Sequence, residues 1–524
     1  MALLNSDELP LAQAIAQLTF CNPFVPERME LERAVLGDDY VASDTAWNFP
    51  TTGQMERPNE TRTREKVAAF VATLRRRMAG KAAPSLQEWR LYQDAVVHYL
   101  FYALEGDFYR TVTDSKSSAG YAGLYARYLE IFQDLLEKPA AGRACHYRAE
   151  HLFACCYQVT RAFQGIYRSI IGFSPCMIDL RAKVWESIFT HNMRLYQLEL
   201  YDKMGDIATL IVGPSGTGKE RVAQAIAQAR YLPFHAATKR FADVPENLFS
   251  TTVLSALSPH LIESELFGHA RGSFTGALGD RKGRLESCPP HGSLFLDEIG
   301  DADEPIQVKL LRVLQYRIFE RVGDSVPRTF RGKIIAATNH DLARDMHSGK
   351  FRQDFYFRLC SDVITTPSLR QQIIEAPEDV DNLIDFITQR FIPGEHDRRK
   401  LNADVKLWIT RHPDYAWPGN FRELEQCVKN ILVRRNYQPP ELSPGDNQSP
   451  DLTRIRDGVM TEQELLNFYT TLVYQKAGTY ESAARSLGID RRTVKSRVTG
   501  PMKALRGHSR HTTLKGVLHH DRIT

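Results

Sequence analysis

Apolar residues in the first 180 positions recur every three or four residues, which is the period of an α-helix. The clearest stripe predicts one long helix, and it comprises Tyr121, Leu124, Tyr125, Tyr128, Leu129, Phe132, Leu135 and Leu136. We expect Pro139 to end this helix, because proline has no backbone amide to donate. A capping-box signal at Ser85 and Glu88 predicts the start of an earlier helix, and a later one is predicted over about residues 145–170. We therefore predict a mostly helical N-terminal domain over residues 1–173, of unknown type and with a regulatory role.

After residue 174 the pattern changes to short apolar runs that alternate with helices, as in a buried parallel sheet. Such runs cover residues 209–212, 293–296 and 333–338. They predict an α/β subdomain over 174–375, followed by a helical lid over 376–437. A stretch rich in Pro, Asn, Gly and Ser predicts a linker over 438–460. Helical spacing returns over 461–510, before a basic tail at 511–524.

The strand at 209–212 leads into a glycine-rich turn with the spacing G-x-x-x-x-G-K and then into an amphipathic helix, which is the context of a phosphate-binding loop. The predicted nucleotide-binding residues are Gly213, Pro214, Ser215, Gly216, Thr217, Gly218, Lys219 and Glu220. The glycines let backbone amides converge on phosphate oxygens, and Lys219 would reach the β- and γ-phosphates. Glu220 stands where a Ser or Thr hydroxyl usually binds Mg²⁺, so the residues alone leave open whether its carboxylate binds the ion. ATP and Mg²⁺ are the expected cofactors.

Polar residues end the next two predicted strands. Asp297 is expected to hold Mg²⁺, and Glu298 to polarise the attacking water as a general base. Asn339 is expected to sense the γ-phosphate or to orient water. An exposed acidic turn after a core strand is the structural alternative for the two acids.

Three arginines are candidates for contacts to phosphate. Arg352 and Arg358 are six residues apart and would project toward the nucleotide of a neighbouring subunit, where an arginine finger is worth roughly 10³–10⁵ in rate. Such a shared site implies a ring, and structural salt bridges are the alternative. Arg422 is expected in the first turn of a helix that Asn420 caps, free to reach a phosphate.

Charge is distributed unevenly along the chain. The 524 residues carry a formal net charge of only +4, yet residues 476–524 hold 11 Lys and Arg against 3 Asp and Glu. This distribution predicts a nucleic-acid contact at the C-terminal end, with a solvated basic tail as the alternative. The eight cysteines are scattered, and we find no targeting signal and no apolar stretch of membrane-spanning length. We therefore expect a cytoplasmic protein without a membrane contact.

Residues 480–498 have the pattern of a helix-turn-helix. Gly488 would form the turn, and Asp490 would cap the second helix. The predicted DNA-contacting residues on that helix are Arg491, Arg492, Thr493, Lys495 and Arg497. A helical hairpin used only for dimerisation is the alternative.

A cluster of cysteine and histidine lies in the third predicted N-terminal helix. His151 and Cys155 are four residues apart and share a helix face with the spacing of metal ligands, and Cys145 lies nearby. No second ligand pair supports a zinc site, so we favour an ordinary packed helix.

Taken together, the motifs from residue 174 to residue 433 resemble the central domain of the bacterial enhancer-binding proteins, the AAA+ activators of sigma-54 RNA polymerase. The matching stretches are Lys219-Glu220, Glu263 to His269, Gly272 to Ala277, Leu296 to Glu298, Lys309 to Gln315, Ala337 to Asn339, Phe351 to Leu359 and Trp417 to Glu425. The C-terminal pattern resembles the Fis-type reader of many such activators. Glu220 is normal for this family.

The resemblance implies an AAA+ P-loop core with a helical lid, ATP hydrolysis, and upstream double-stranded DNA and sigma-54 RNA polymerase as partners. It also implies a homo-oligomer, a hexameric ring when active and a dimer when inactive. The residues implied to contact sigma-54 are Gly272, Ser273, Phe274, Thr275, Gly276 and Ala277. No phosphoacceptor receiver pattern is found in the N-terminal domain.

The chain departs from the family pattern at several positions. Ser273 replaces an alanine, and Thr238 falls where we align an asparagine that couples nucleotide state to the base. The chain is longer than the pattern between residues 242 and 260, and residues 366–372 are a variant of a Pro-Pro-Leu-Arg-Glu-Arg segment. Two rival functions stay open: a DNA-binding repressor or regulator that uses ATP only for assembly, and an AAA+ remodeller of another partner.

Overall fold

The computed structural model describes residues 2–42, 58–80, 84–113, 119–140, 145–243, 248–256, 258–439 and 460–498. The chain forms two compact units, Met1–Tyr437 and Gln438–Thr524. Most of the predicted linker, the end of the predicted helix-turn-helix segment and the basic tail lie outside the described residues.

Helices dominate the first 200 residues, as the apolar spacing predicts. They are α1 (Glu8–Phe20), α2 (Glu27–Leu36), α3 (Pro58–Ala79), α4 (Leu86–Thr113), α5 (Ala119–Phe132), α6 (Lys138–Ala140), α7 (Ala149–Ser169), α8 (Pro175–Phe189) and α9 (Met193–Leu195). The capping box is present, since the amide of Glu88 donates to Ser85 Oγ over 3.2 Å and the amide of Ser85 donates to Glu88 Oε2 over 2.7 Å.

Two predicted helix ends were wrong by a few residues. The aromatic helix continues beyond Phe132 through a π-helical turn to Ala140, so Pro139 lies within its last turn instead of ending it. Helix α7 begins at Ala149, so Cys145 precedes it.

The centre of the first unit is a parallel five-stranded sheet with the strand order β11-β1-β10-β7-β4. These strands are β1 (Thr209–Val212), β4 (Phe249–Val253), β7 (Ser293–Asp297), β10 (Lys333–Thr338) and β11 (Asp362–Thr365). Three two-stranded hairpins lie outside this sheet. They pair β2 (Phe234–His235) with β3 (Arg240–Phe241), β5 (Gly268–His269) with β6 (Arg281–Lys282), and β8 (Ile318–Phe319) with β9 (Arg328–Thr329). The central strands are apolar on both faces because helices cover both: Ile335 and Ala337 face one core, and Ile334 and Ala336 face the other.

Further helices surround the sheet and form the lid. They are α10 (Lys219–Gln228), α11 (Pro259–Phe267), α12 (Arg284–Ser287), α13 (Glu304–Tyr316), α14 (Leu342–His347), α15 (Gln353–Leu359), α16 (Leu369–Glu375), α17 (Val380–Thr388), α18 (Glu395–Arg411) and α19 (Asn420–Arg434). The lid has its own core around Trp408 and Trp417.

The N-terminal helices are not a separate compact unit. Ala162 and Ile166 of α7 share one buried core with Val222 and Ile226 of α10 and with Ile335 of the sheet. Helix α7 therefore covers one face of the α/β core. The predicted domain boundary at residue 173 separates this helix from the core on which it packs.

The second unit contains three helices, α20 (Glu462–Ala477), α21 (Tyr480–Leu487) and α22 (Arg491–Arg497). Gly488 has φ +66°, and Asp490 accepts the amide of Arg492 over 2.7 Å, so the turn and the cap form as the sequence predicts. Ala483 and Val494 are buried, whereas Leu487, Ile489 and Val498 are only half-buried. No described helix of the chain is both long and apolar enough to cross a membrane.

Candidate functional site: a phosphate-binding loop beneath a helical lid

The loop between β1 and α10 has the backbone of a phosphate cradle. Gly213, Gly216 and Gly218 have φ values of +150°, +79° and +90°, a region that favours glycine. Lys219 opens α10, and its Nζ donates to the carbonyl oxygens of Gly213 over 3.0 Å and Pro214 over 3.2 Å. The ammonium group thus bonds to the carbonyl oxygens of the same loop whose backbone amides would bind a phosphate.

Burial lowers the pKa of Lys219 from its usual value, and the nearby carboxylates of Glu298 and Asp297 act in the opposite direction. The lysine of the loop and the two acids of β7 therefore belong to one electrostatic site. A phosphate bound beside Lys219 would add a further negative charge that stabilises its ammonium form.

Hydroxyl groups connect the loop to the edge strand of the sheet. Thr217 Oγ1 donates to the carbonyl oxygen of Pro214 over 2.8 Å and lies 2.7 Å from Thr366 Oγ1. Thr366 is buried, and its amide donates to Val212 over 2.9 Å. Glu220, by contrast, is exposed at the start of α10.

The two acids and the asparagine lie together at the carboxyl end of the sheet. The backbone amide nitrogen of Asn339 lies 3.4 Å from Glu298 Oε2, and the backbone amide of Glu298 donates to Asp297 Oδ1 over 3.1 Å. Glu298 has φ +54° and ψ +52°, a left-handed conformation that is uncommon outside glycine. This donor set fits Mg²⁺, which commonly binds one or two carboxylates and completes its shell with phosphate oxygens and water.

The lid contacts the loop directly. Asn420 does not cap α19; its Nδ2 donates to Ser215 O over 2.9 Å, and its Oδ1 accepts the amide of Leu369 over 2.9 Å. The cap prediction was wrong because the side chain of Asn420 is buried and bonds to Ser215 and Leu369 instead of to an amide of its own helix, and its backbone is left-handed with φ +51°. Arg422 Nη1 donates to Ser215 Oγ over 3.1 Å, so its guanidinium lies at the loop as predicted.

The contact between loop and lid also involves backbone. The amide of Phe421 donates to the carbonyl oxygen of Gly216 over 3.0 Å. A Cβ at Gly216 would overlap the carbonyl oxygen of Gly419, so both positions are confined to glycine-sized residues. A movement of the lid would therefore displace or break these contacts with the backbone of the phosphate loop.

The two candidate finger arginines differ in their surroundings. Arg352 is paired with Asp354 over 2.9 Å and with Glu304 over 3.0 Å, as the salt-bridge alternative expects. Arg358 lies exposed on α15 and forms no ion pair within the described part of the chain. Arg358 is the better candidate for a contact to a neighbouring subunit.

The loop Gly272–Ala277 is a tight turn that rises from the β5–β6 hairpin. The amide of Gly272 donates to Ala277 O over 2.9 Å, Phe274 is 43% exposed, and Thr275 at the tip is exposed. Gly272 and Gly276 have φ values of +78° and +103°, which suit a loop that changes shape.

Thr238 was aligned with the family asparagine that couples nucleotide state to the base, and the structure contradicts this alignment. Thr238 lies at the turn of the small β2–β3 hairpin, outside the central sheet. Val253, at the end of β4, is the residue paired with Asp297. The strand that borders β7 is therefore β4, which follows the hairpin and lies within the longer stretch 242–260, and its β-branched run at 249–253 was the overlooked signal.

Comparison with known proteins identifies this module. Residues 191–365 match the family model described as the Sigma-54 interaction domain. Over this segment the chain is similar to the Sigma-54 interaction domain. It is 36% identical over 301 residues to the transcriptional regulatory protein ZraR of Salmonella typhi, covering 56% of this chain and 63% of that protein. It is 37% identical over 300 residues to the Nif-specific regulatory protein of Azotobacter vinelandii, covering 55% of this chain and 53% of that protein.

The chain therefore spans between half and two thirds of the length of these relatives. Among solved structures, NtrX from Brucella abortus in complex with ADP matches with a TM-score of 0.38 and 23% identity, over 67% of this chain and 77% of that one. The matched segment ends before the lid helices α16–α19, which belong to the same compact unit.

Outside the sigma-54 interaction domain, the predicted DNA-contacting residues all lie on α22. Arg492 and Lys495 are exposed, whereas Thr493 and Arg497 are half-buried and so less available than predicted. Arg491 pairs with Glu481 over 2.9 Å.

The cysteine and histidine cluster forms no metal site among the described residues. His151 Nε2 donates to Gln197 O over 2.5 Å, and Nδ1 accepts the hydroxyl of Tyr231 over 2.8 Å. Both ring nitrogens are thus used within the protein, and burial raises the pKa of the Cys155 thiol.

Proposed function

We propose that this protein is an ATP-hydrolysing transcriptional activator that binds upstream DNA and remodels the sigma-54 RNA polymerase closed complex. The observation that carries the proposal is a glycine-flanked loop with exposed Phe274 and Thr275 in the same compact unit as the phosphate loop and the acids at Asp297 and Glu298. A DNA-bound regulator that used ATP only for assembly would need neither this loop nor Glu298.

In the proposed mechanism the loop amides and Lys219 bind the phosphates, and Arg422 exchanges the hydroxyl of Ser215 for a phosphate oxygen. Asp297 holds Mg²⁺, which would neutralise charge on the phosphate oxygens. Glu298 takes a proton from the attacking water, and the polar tip of Asn339 orients that water or senses the γ-phosphate.

Assembly completes the site in this proposal. Arg358 acts in trans on the nucleotide of the next protomer in a ring, a hexamer by family resemblance, with Arg352 beside it in its network with Glu304 and Asp354. Residues 1–173 gate the motor, residues 461–510 bind DNA, and the protein acts in the cytoplasm. The inactive form would be a dimer.

Sigma-54 binding can be tested directly. Purified protein held with ADP and aluminium fluoride is expected to co-elute with sigma-54, and Thr275→Ala is expected to abolish the complex while ATPase activity is retained. Thr410→Ala, an exposed threonine on α18, is the matched control and should behave as wild type. ATPase activity without any complex in the wild type would favour a different partner.

DNA binding can be tested on α22. Arg492→Ala should weaken binding to the upstream site by about 1–3 kcal/mol if it contacts a base, with relaxed specificity at one position. Arg491→Ala should have a smaller effect, because Glu481 already neutralises part of its charge. Unchanged affinity in both variants would move the DNA contact away from this helix.

A further inference from the structure

The chain between the phosphate-loop helix and the edge strand β4 leaves the central sheet. It forms the hairpin β2–β3, in which Phe234 pairs with Phe241 and His235 with Arg240. Phe234 is 5% exposed and belongs to the same buried core as Tyr125 and Phe153 of the N-terminal helices. A segment of the sigma-54 interaction domain therefore completes the core of the helical domain.

Aromatic rings hold both strands of this hairpin. The ring of Phe234 lies 4.7 Å from that of Tyr125 and 4.6 Å from that of Phe153. Phe241 stacks on Tyr157 at 4.3 Å with an interplanar angle of 22°, and it meets Tyr121 edge-on at 5.1 Å. These centroid distances are those of favourable aromatic pairs.

Polar groups of α7 hold the base of the hairpin, next to the end of α10. Gln158 Nε2 donates to the carbonyl oxygen of Ala229 over 2.8 Å, and the Arg161 guanidinium donates to that of Arg230. These carbonyls follow the last turn of α10, where helix carbonyls have no partner in the helix itself. Helix α7 therefore fixes the C-terminal end of α10, and Lys219 stands at the other end.

We propose that the hairpin Tyr231–Phe241, packed between aromatic side chains of the helical domain, acts together with the direct packing of α7 on α10 to couple that domain to the position of the phosphate-binding helix. A rearrangement of the helical domain would move the hairpin and the end of α10 together, because both contact α7. The proposal rests on the proposed binding of nucleotide at Lys219.

Hydrogen exchange of the full chain, with and without ADP, tests this coupling. In the wild type, ADP is expected to slow exchange in residues 210–228 and also in residues 149–165 of α7. In Phe241→Ala the slowing in 210–228 should persist, while that in 149–165 should fall by about half or more, because coupling between two sites is reciprocal. Comparing each variant with and without ADP separates lost coupling from a general loss of stability.

Tyr109→Ala is the control, because Tyr109 is 52% exposed on the same helical domain. It should leave both responses unchanged. If Phe241→Ala fails to fold, Phe241→Leu takes its place, since leucine keeps apolar burial and loses the stacked ring.

The outcomes separate this proposal from the proposed function. Slowing at 210–228 without any response at 149–165 in the wild type would overturn the coupling and leave nucleotide binding intact. Equal responses in Phe241→Ala and wild type would overturn it as well. An absence of slowing at 210–228 would contradict nucleotide binding itself and remove the basis for the coupling.

Discussion

The two ends of α10 are held by different chemistry. At its N-terminal end, the phosphate loop contacts the lid through hydrogen bonds from Asn420, Phe421 and Arg422. Beyond its C-terminal end, packed aromatic rings and buried side-chain donors of the helical domain hold the chain. Hydrogen bonds at a solvent-accessible loop can be exchanged for phosphate oxygens, whereas buried rings have no alternative partner. The contacts at the first end can therefore change when nucleotide binds, whereas the contacts at the second end hold the helix in a fixed position.

The largest expected effect comes from the chemistry beside the first end. Glu298→Gln should lower turnover by roughly 10²–10⁴, the usual contribution of a general base, while ADP affinity changes little. Steady-state ATPase assays and nucleotide titration measure the two quantities. Glu378→Gln, an exposed residue before α17, is the control. Retained turnover would remove Glu298 as the base.

The contact between loop and lid can be weakened next. Asn420→Asp keeps the acceptor for Leu369 but loses the donor to Ser215, so nucleotide affinity should fall by about tenfold. Asn430→Asp, at a half-buried position of the same helix where the side-chain amide donates to the carbonyl oxygen of Gln426, should bind nucleotide as wild type does. If Asn420→Asp lowered the free energy of unfolding without lowering nucleotide affinity, the contact would only hold the lid against the loop.

The opposite response is expected at the second end. Gln158→Leu removes a buried donor to Ala229 and Tyr196, which should lower the free energy of unfolding by about 1–3 kcal/mol, with a smaller change in nucleotide affinity than Asn420→Asp produces. Chemical denaturation and nucleotide titration measure the pair of effects. Gln389→Leu is an exposed control. An affinity loss as large as that of Asn420→Asp would mean that the two ends do not differ.

The last prediction concerns a buried cation near the second end. Burial lowers the pKa of Lys333 from 10.5 to about 7. Between pH 7 and 10 the unfolded chain keeps a proton that the folded protein has released, so this group makes stability rise with pH over that range. Lys333→Met should flatten the rise, as measured by denaturation at several pH values. An identical slope in both proteins would show that Lys333 keeps its usual pKa.

Much of the candidate site could be predicted because its signals are local. The glycine spacing before Lys219, and the acids after a buried strand, each follow from a few neighbouring residues. The capping box at Ser85 and the turn at Gly488 are local in the same sense. Predictions that needed a partner from elsewhere in the chain were less successful: Asn420 was expected to cap its own helix, and it bonds to Ser215 instead.

The sequence by itself determined the phosphate loop, the similarity of residues 191–365 to the Sigma-54 interaction domain and the helical character of both ends of the chain, since apolar period and motif spacing are properties of short segments. Only the tertiary structure decided that Val253 borders Asp297, that residues 234–241 form a hairpin, and that the helical domain closes around Phe234 and Phe241. Those facts depend on contacts between distant segments. Burial of apolar surface is non-directional, so an apolar residue does not specify which distant surface it will meet.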